Sequence, residues 1–230
     1  MTGLPPRVVA VGGACGVGKS THGARLLREL FGIDDYILAP GRVPPALLWA
    51  RVDAGSEFGF ETTLSSQYWM SALGQFRGRG YAVHVSFLTV SSAAVAVERV
   101  ARRVRDGGHS VPGDQVREWF GRAAWNFYFL YRHIAHGWMV YDTSRDGAPR
   151  IVATGAGSWL QRCVDGDAWE AIVLAGRQSQ QDEGVSPQVS ARVSGPDEAG
   201  SGSHPPGIAW CERAAPTWNH ARRHAAIAMG

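Results

Sequence analysis

The chain has 230 residues, of which 45% are apolar, and a formal net charge of +3. A chain of this length can bury one substantial core, and it contains no stretch near the roughly 18 apolar residues of a membrane-spanning helix. Its basic residues form no continuous run of the kind that binds nucleic acid or an anionic membrane. Composition therefore predicts a protein that binds neither a nucleic acid nor a membrane.

The cysteines give no sign of a secreted or zinc-binding protein. Cys15, Cys163 and Cys211 are odd in number and far apart, which indicates neither a disulfide framework nor a zinc site. The N-terminus has no charged region followed by an apolar core of the kind found in secretory signals. A cytoplasmic location is therefore expected.

The first predicted elements enclose a glycine-rich loop. Residues 7–11 are typical of a buried parallel strand, and residues 21–31 of a helix. Between them, Gly13-Ala14-Cys15-Gly16-Val17-Gly18-Lys19-Ser20 fits G-x-x-x-x-G-K-[ST], the pattern of the phosphate-binding P-loop. Lys19 is the only lysine in the chain, so general use of lysine does not explain the match.

The P-loop predicts a nucleotide site with named residues. Its glycines let backbone N–H groups converge on phosphate oxygens, and the dipole of the following helix favours the same anion. Lys19 would contact the β- and γ-phosphates, and the Ser20 hydroxyl would bind Mg²⁺. ATP or GTP is expected with Mg²⁺, without a choice between the two nucleotides. The predicted nucleotide-binding residues are Gly13, Ala14, Cys15, Gly16, Val17, Gly18, Lys19, Ser20 and Thr21.

The following elements alternate between apolar runs and helical patterns, which is typical of an α/β fold with a parallel sheet. They predict a P-loop NTPase-type sheet flanked by helices. Further strands are predicted at residues 57–61, 81–90, 138–142 and 150–154. Further helices are predicted at residues 45–52, 66–79, 92–105 and 115–136, with a loop at residues 107–112.

The character of the sequence changes near residue 176. Ser, Gln, Gly and Pro dominate from there on, and the hydrophobic periodicity disappears. Such a segment buries too little apolar surface to offset the entropy of ordering the chain. We therefore predict a P-loop domain over residues 1–175 and a low-complexity, disordered tail over residues 176–230. Trp210 and Trp218 are unusual in such a tail and leave docking to a partner as the alternative to an untethered extension.

Three further segments place polar residues beside predicted strands, where open α/β sheets bind ligands. Asp34-Asp35 follows the first helix, and Glu61-Thr62-Thr63 follows the second long strand. The third segment carries four arginines on a helix before a Gly-Gly loop. Guanidinium groups hold phosphate oxygens during transfer, so this segment is predicted to form a lid; the alternative is a helix whose arginines face water. Arg99 and Arg103 share one face of that helix, as do Arg102 and Arg105.

Together these segments resemble the zeta-toxin family of P-loop kinases over residues 7 to about 175. The string Glu-Thr-Thr-Leu and the string Arg-Val-x-x-Gly-Gly-His-x-Val-Pro, in this order, are far more specific than the P-loop alone. The resemblance rests on Ala14–Thr21, on Phe58-Gly59-Phe60-Glu61-Thr62-Thr63-Leu64, on Glu98-Arg99-Val100-x-x-Arg103-Val104-x-x-Gly107-Gly108-His109-x-Val111-Pro112, and on Tyr141-Asp142-x-Ser144.

The resemblance implies ATP- or GTP-dependent phosphorylation of a hydroxyl on a small molecule. In characterised members of the family, that molecule is a UDP-N-acetyl amino sugar. The family pattern implies that Asp35 is the substrate-side base, with Asp34 as the competing candidate. It further implies that Glu61 and Thr62 bind the substrate, and that an antitoxin protein is a candidate partner. Lys19, Arg99 and Arg103 complete the implied catalytic set.

Two departures from the family pattern leave other functions open. The segment from Asp35 to Glu61 is short and rich in proline, and only Arg117 and Arg122 remain where the family tends to carry consecutive arginines. Between them, Glu118 would place a negative charge beside the triphosphate. One alternative is a degenerate P-loop protein that binds a nucleotide without kinase activity. The other is a kinase for a different acceptor, such as an antibiotic.

Overall fold

The computed structural model describes residues 4–38 and 43–182. A seven-stranded sheet in the order β2-β3-β1-β4-β5-β6-β7 forms the centre of the fold. Strands β1 to β5 run parallel, and β6 and β7 extend the sheet in antiparallel pairing. The strands are β1 Arg7–Gly12, β2 Tyr36–Ile37, β3 Phe58–Glu61, β4 Ala82–Thr89, β5 Gly137–Asp142, β6 Arg150–Ala156 and β7 Trp159–Cys163.

Helices cover both faces of the sheet, which confirms the predicted α/β fold class. The long helix predicted over residues 115–136 is observed as helix α5 (Gly113–Asn126), a π-helical turn at Phe127–Tyr131 and the short helix α6 (Arg132–Ile134). None of the described helices is both long and apolar enough to cross a membrane. The helices are α1 Lys19–Phe31, α2 Pro45–Asp53, α3 Tyr68–Gly78, α4 Ala93–Arg105, α5 Gly113–Asn126, α6 Arg132–Ile134 and α7 Gly166–Asp182.

Two apolar clusters fix the sheet between its helices. One face of the sheet packs on α1 and α4, with Leu27 and Val100 among the buried side chains. The other face packs on α2, α3 and α7, where the aromatic rings are concentrated. There, Phe127 of the π-helical turn stacks on Phe87 of β4 with ring centroids 4.5 Å apart. Every residue of β4 is buried, because this central strand is covered on both faces.

Helix α5 passes from one cluster to the other near the C-terminal ends of the strands. Val116, in its first half, is buried with the α1 and α4 side chains. Asn126, its last residue, donates a hydrogen bond to the Leu64 carbonyl just beyond β3, at 2.7 Å. The helix therefore lies across the edge of the sheet at which the strands end, which is the edge where a ligand would bind.

Helix α7 continues to Asp182, past the boundary predicted at residue 175. It packs closely on α5: a Cβ placed on Gly176 would lie 3.0 Å from the backbone of Trp125. The small residues that indicated disorder thus let two helices approach each other here. Residues 183–230 of the predicted tail, with Trp210 and Trp218, lie outside the described residues.

The buried imidazole of His84 makes stability dependent on pH. Burial, together with the nearby His136 and Arg7, lowers its pKa from 6.5 to about 3. Below pH 6.5, His84 is therefore protonated in the unfolded chain but stays neutral in the folded chain. The free energy of unfolding therefore falls as the pH falls from about 6.5 to about 3. We expect one residue of this kind to remove up to about 1.4 kcal/mol per pH unit from the free energy of unfolding.

The measurement is urea unfolding between pH 7 and pH 4 for the wild type and for His84→Leu. The variant removes the titrating group but keeps an apolar side chain of similar size, so its stability should vary less steeply with pH. The other histidines are present in both proteins and cancel in the difference. Equal slopes in the two proteins would show that His84 is not the group responsible.

Candidate functional site

The glycine-rich loop between β1 and α1 is held against the backbone of neighbouring elements. Gly13 and Gly16 have φ values of +136° and +84°, a region that other residues rarely adopt. A Cβ on Gly13 would lie 2.2 Å from the carbonyl oxygen of Leu88, and one on Gly16 would lie 2.4 Å from that of Ala96. Because these are backbone atoms at the end of β4 and in α4, the course of the loop requires glycine at both positions.

Three polar side chains converge at the first turn of α1. Lys19 is only 5% exposed, and its Nζ donates to the Ala14 carbonyl at 2.8 Å. The same Nζ lies 3.8 Å from Oε1 of Glu61, and the Ser20 hydroxyl donates to Oε2 of Glu61 at 2.9 Å. Burial lowers the pKa of Lys19, and the Glu61 carboxylate opposes that change. A cation, a hydroxyl and a carboxylate therefore meet at one point on the edge of the sheet.

The turn that follows β3 is held in a strained conformation. Leu64 has φ +52°, although it is not glycine, and its side chain is buried. Its N–H donates to the Thr62 hydroxyl at 3.2 Å, and its carbonyl accepts the bond from Asn126. Such a backbone persists only where several contacts fix it, and strain of this kind is concentrated at ligand sites.

A cavity of about 320 Å³ lies beside this turn. It combines a carboxylate, four hydroxyl groups and two aromatic rings, which is a surface suited to a polar ring-bearing molecule. The rings of Tyr68 and Trp69 contact each other edge to face at 4.8 Å. The described lining residues are Val43, Glu61, Thr62, Thr63, Ser66, Tyr68 and Trp69.

The two arginines predicted as lid clamps bind backbone carbonyls. Arg99 donates to the carbonyl oxygens of Thr143 at 2.7 Å and Ser144 at 3.0 Å, in the loop after β5. Arg103 donates to the carbonyl of His109 in the Gly-Gly loop at 3.0 Å. Its charge also helps to lower the pKa of Lys19, after burial, so the guanidinium lies near the phosphate loop.

The α5 charges that raised doubt about catalysis are paired within that helix. Glu118 accepts a hydrogen bond from Arg122 one turn away, at 2.8 Å. Arg117 pairs with Asp114 at 3.0 Å. These side chains are largely exposed, so each pair is weak but reduces the local excess of either charge.

The structure places Asp35 away from the converged side chains, contrary to the role implied by the family pattern. It precedes β2, whose Tyr36 lies opposite Gly59, whereas Glu61 ends β3. Asp35 therefore lies about 10 Å back along the strand direction from the edge where Lys19 and Ser20 meet Glu61. Its carboxylate pairs with Arg51 of α2 at 3.0 Å.

The competing candidate, Asp34, is exposed, and its carboxylate pairs with Arg28 at 2.6 Å. One short element explains why the sequence did not predict where these two residues lie. Strand β2 has only two residues, too few for a periodic pattern, so the sequence did not show that both acids directly precede a strand. The structure therefore gives no support to either residue as the base.

Sequence reasoning missed one polar residue of the site, Thr143. Its hydroxyl lies 2.8 Å from the Val17 carbonyl in the phosphate loop. The signal was present, because Thr143 directly follows the predicted strand at residues 138–142 and so lies at the ligand-binding edge. It was overlooked because the neighbouring Asp142 and Ser144 carried the family resemblance.

The residues present fit a Mg²⁺ ion that arrives with nucleotide phosphates. Within residues 4–38 and 43–182, no group of three or more His, Cys, Asp or Glu side chains is arranged to hold a metal. The Ser20 hydroxyl and the Glu61 carboxylate supply oxygen atoms at one point, however. Mg²⁺ is commonly bound in this way, by one or two protein oxygens together with substrate phosphates and water.

No protein-family model matches the chain, and neither does any curated protein. Solved structures do share its fold. A chain of the native AvrRxo1-ORF1:-ORF2 complex matches 95% of this chain and 76% of its own length, at 14% identity and a TM-score of 0.51. A chain of the same complex with ATP matches 96% and 77%, at 18% identity and a TM-score of 0.52. At these identities the likeness establishes the fold alone, which is that of the AvrRxo1 chains.

The close approach of the P-loop to α4 predicts a stability difference between two glycine variants. Gly16 and Gly107 have nearly the same φ, +84° and +85°, but a Cβ on Gly107 would meet nothing within 4 Å. Gly107→Ala should therefore cost only the backbone strain, about 1 kcal/mol. Gly16→Ala should cost about 1–3 kcal/mol more, because the added methyl overlaps the Ala96 carbonyl.

Urea unfolding of the two variants beside the wild type measures this difference. Both variants incur the same cost for a left-handed backbone, so the difference between their free energies of unfolding measures the contact of Gly16 with α4. Equal losses of stability would mean that the loop moves away from α4 at little cost.

Proposed function

We propose that the protein is a P-loop kinase that transfers the γ-phosphate of ATP or GTP to a hydroxyl of a small molecule, as zeta-toxin kinases do. One observation carries the proposal: Glu61 both contacts Lys19 and Ser20 and lines the adjacent cavity. A donor site and an acceptor site that share a residue bring the two reactants within reach of each other, which is the main requirement of phosphoryl transfer. The AvrRxo1 complex was determined with ATP, which supports ATP as the phosphate donor proposed for this chain.

On the donor side, the P-loop amides and the Lys19 ammonium would bind the phosphates. Lys19 is bonded to Ala14 within the loop, so a nucleotide replaces a carbonyl partner with phosphate oxygens. Mg²⁺ held by Ser20 and the phosphates would neutralise charge on the transferred group. Arg103 lies near enough to add positive charge.

On the acceptor side, Glu61 is the carboxylate best placed to orient a hydroxyl and accept its proton. It lines the cavity, and a carboxylate within hydrogen-bond reach of a hydroxyl serves in this role in other kinases. Thr62 accepts the Leu64 N–H, which leaves its own hydroxyl proton to be donated to a substrate oxygen. This assignment replaces Asp35.

The acceptor is proposed to be a hydroxyl-bearing ring, with a UDP-N-acetyl amino sugar as the first candidate. The cavity hydroxyls suit a polyol, and Trp69 and Tyr68 offer ring faces or edges for apolar contact. A second candidate is an amine-bearing polyol of the aminoglycoside type. The described lining favours it at one point, since it includes the Glu61 carboxylate and no basic side chain.

A protein partner of the antitoxin kind is part of the same proposal. The AvrRxo1 chains that share this fold were determined in a two-protein complex. Genes adjacent to the one encoding this chain would be the first place to look for a small protein that co-purifies with it.

The first experiment tests transfer itself. The protein is incubated with γ-labelled ATP, Mg²⁺ and either UDP-N-acetylglucosamine or an aminoglycoside, with Lys19→Ala as the control. We expect label on one acceptor, and none with Lys19→Ala, because the phosphates lose their only lysine contact. ATP binding without transfer to these or any other hydroxyl compound would favour the degenerate, nucleotide-binding alternative and sink the kinase proposal.

A matched pair of substitutions then identifies the acceptor-side carboxylate. Glu61→Gln and Asp35→Asn both replace an acid with its amide, but only Glu61 lies in the cavity. We expect Glu61→Gln to lower kcat about 100-fold or more. Asp35→Asn should retain kcat, losing at most about 1 kcal/mol of stability from a surface ion pair. The reverse pattern would return the base to Asp35.

A further inference from the structure

One buried hydroxyl joins the phosphate loop to the rest of the sheet. Thr143 follows β5 and is only 2% exposed. Its Oγ1 lies 2.8 Å from the carbonyl oxygen of Val17 and 3.1 Å from that of Thr89, at the end of β4. Arg99 of α4 donates to the same oxygen at 3.3 Å. The loop, two strand ends and the lid helix therefore meet at this atom.

The single proton of this hydroxyl belongs to the bond with Val17. A threonine hydroxyl donates one hydrogen bond at a time. The Thr89 carbonyl already accepts the backbone N–H of Thr143 at 2.9 Å, whereas the Val17 carbonyl is nearer to Oγ1 and needs a partner. Arg99 supplies a proton from the other side, so the hydroxyl accepts from α4 and donates to the phosphate loop.

The bond to Val17 determines where the next N–H points. In a trans peptide the C=O and the N–H point in opposite directions, and the described chain has no cis peptide bond. The Val17 carbonyl is turned toward Thr143, so the Gly18 N–H is turned away from Thr143. Gly16 and Gly18 flank this segment, and glycine offers little resistance to a flip of the peptide. The loop therefore needs an external anchor.

We propose that Thr143 is a positioning residue for the phosphate cradle, by which we mean the backbone N–H groups of the P-loop that would bind the phosphates. Its hydroxyl fixes the Val17–Gly18 peptide so that the Gly18 N–H faces the bound phosphates, which Thr143 itself does not touch. Arg99 holds the threonine in place through the carbonyls of Thr143 and Ser144. The inference rests on the proposed function, because it assumes that nucleotide phosphates bind at this loop.

The test compares two identical substitutions at buried threonines. Thr143→Val removes the hydroxyl that anchors the loop. Thr154→Val, on β6, removes a buried hydroxyl that has no hydrogen-bond partner among the described residues. Calorimetry gives the dissociation constants of ATP and of tripolyphosphate, which carries the phosphate chain without a nucleoside. Thr143→Ser keeps the hydroxyl and serves as the rescue.

We expect Thr143→Val to weaken the binding of ATP and of tripolyphosphate by the same factor, roughly tenfold, since the buried hydrogen bond that orients the Val17–Gly18 peptide is lost. Thr143→Ser and Thr154→Val should bind both within about twofold of the wild type. If Thr143→Val does not fold, Thr143→Cys replaces it, and its weaker donor should give a smaller loss in the same direction.

Two results would overturn the inference, and they are distinguishable from failure of the proposed function. Wild-type affinity in Thr143→Val would remove the positioning role, as would an equal loss in Thr154→Val. A loss for ATP but not for tripolyphosphate would place the effect at the nucleoside rather than at the cradle. A wild-type chain that binds neither probe would instead refute the proposed function, and the positioning role with it.

Discussion

The parallel pairing of β1 with β3 is the constraint on which the site depends. Val11 lies opposite Glu61, so the two strands end at the same level of the sheet. The phosphate loop leaves β1, and the strained turn leaves β3, side by side. A shift of one residue in this register would turn Glu61 to the other face of the sheet and separate it from Ser20. Apolar packing on both faces of the sheet thus determines polar geometry at its edge.

The shape of the loop depends on contacts with later parts of the chain. Its path is set by contact with the Leu88 and Ala96 carbonyls and by the hydroxyl of Thr143, all supplied by later parts of the chain. A P-loop motif therefore states what the loop can bind, while β4, α4 and β5 determine how the loop is held. This division explains why Arg99 and Arg103 of α4 donate to backbone carbonyls, because these bonds hold the loops around the site in place.

The parts of the fold that were predictable from sequence are those with a local cause. Long apolar strands and the P-loop each depend on consecutive residues, so the sequence predicts them directly. Glu61 was identified because it ends such a strand. The position of Asp35 in the sheet was not predictable, because β2 has only two residues, too few for periodicity, and Asp35 precedes it. Helix α7 continues past the predicted boundary at residue 175, and there Gly176 makes a tertiary contact that composition does not reveal. Thr143 depends on a bond 126 residues away in sequence.

The scarcity of lysine makes the phosphate loop the one place in this sequence with a side-chain amine. Lys19 carries the one side-chain amine of this chain, and it is buried in the loop with its pKa lowered by burial. Acylation, isopeptide formation or chemical labelling of a lysine therefore has a single target residue in this chain. A nucleotide bound as proposed would contact the same nitrogen, so it would protect Lys19 from lysine-directed modification.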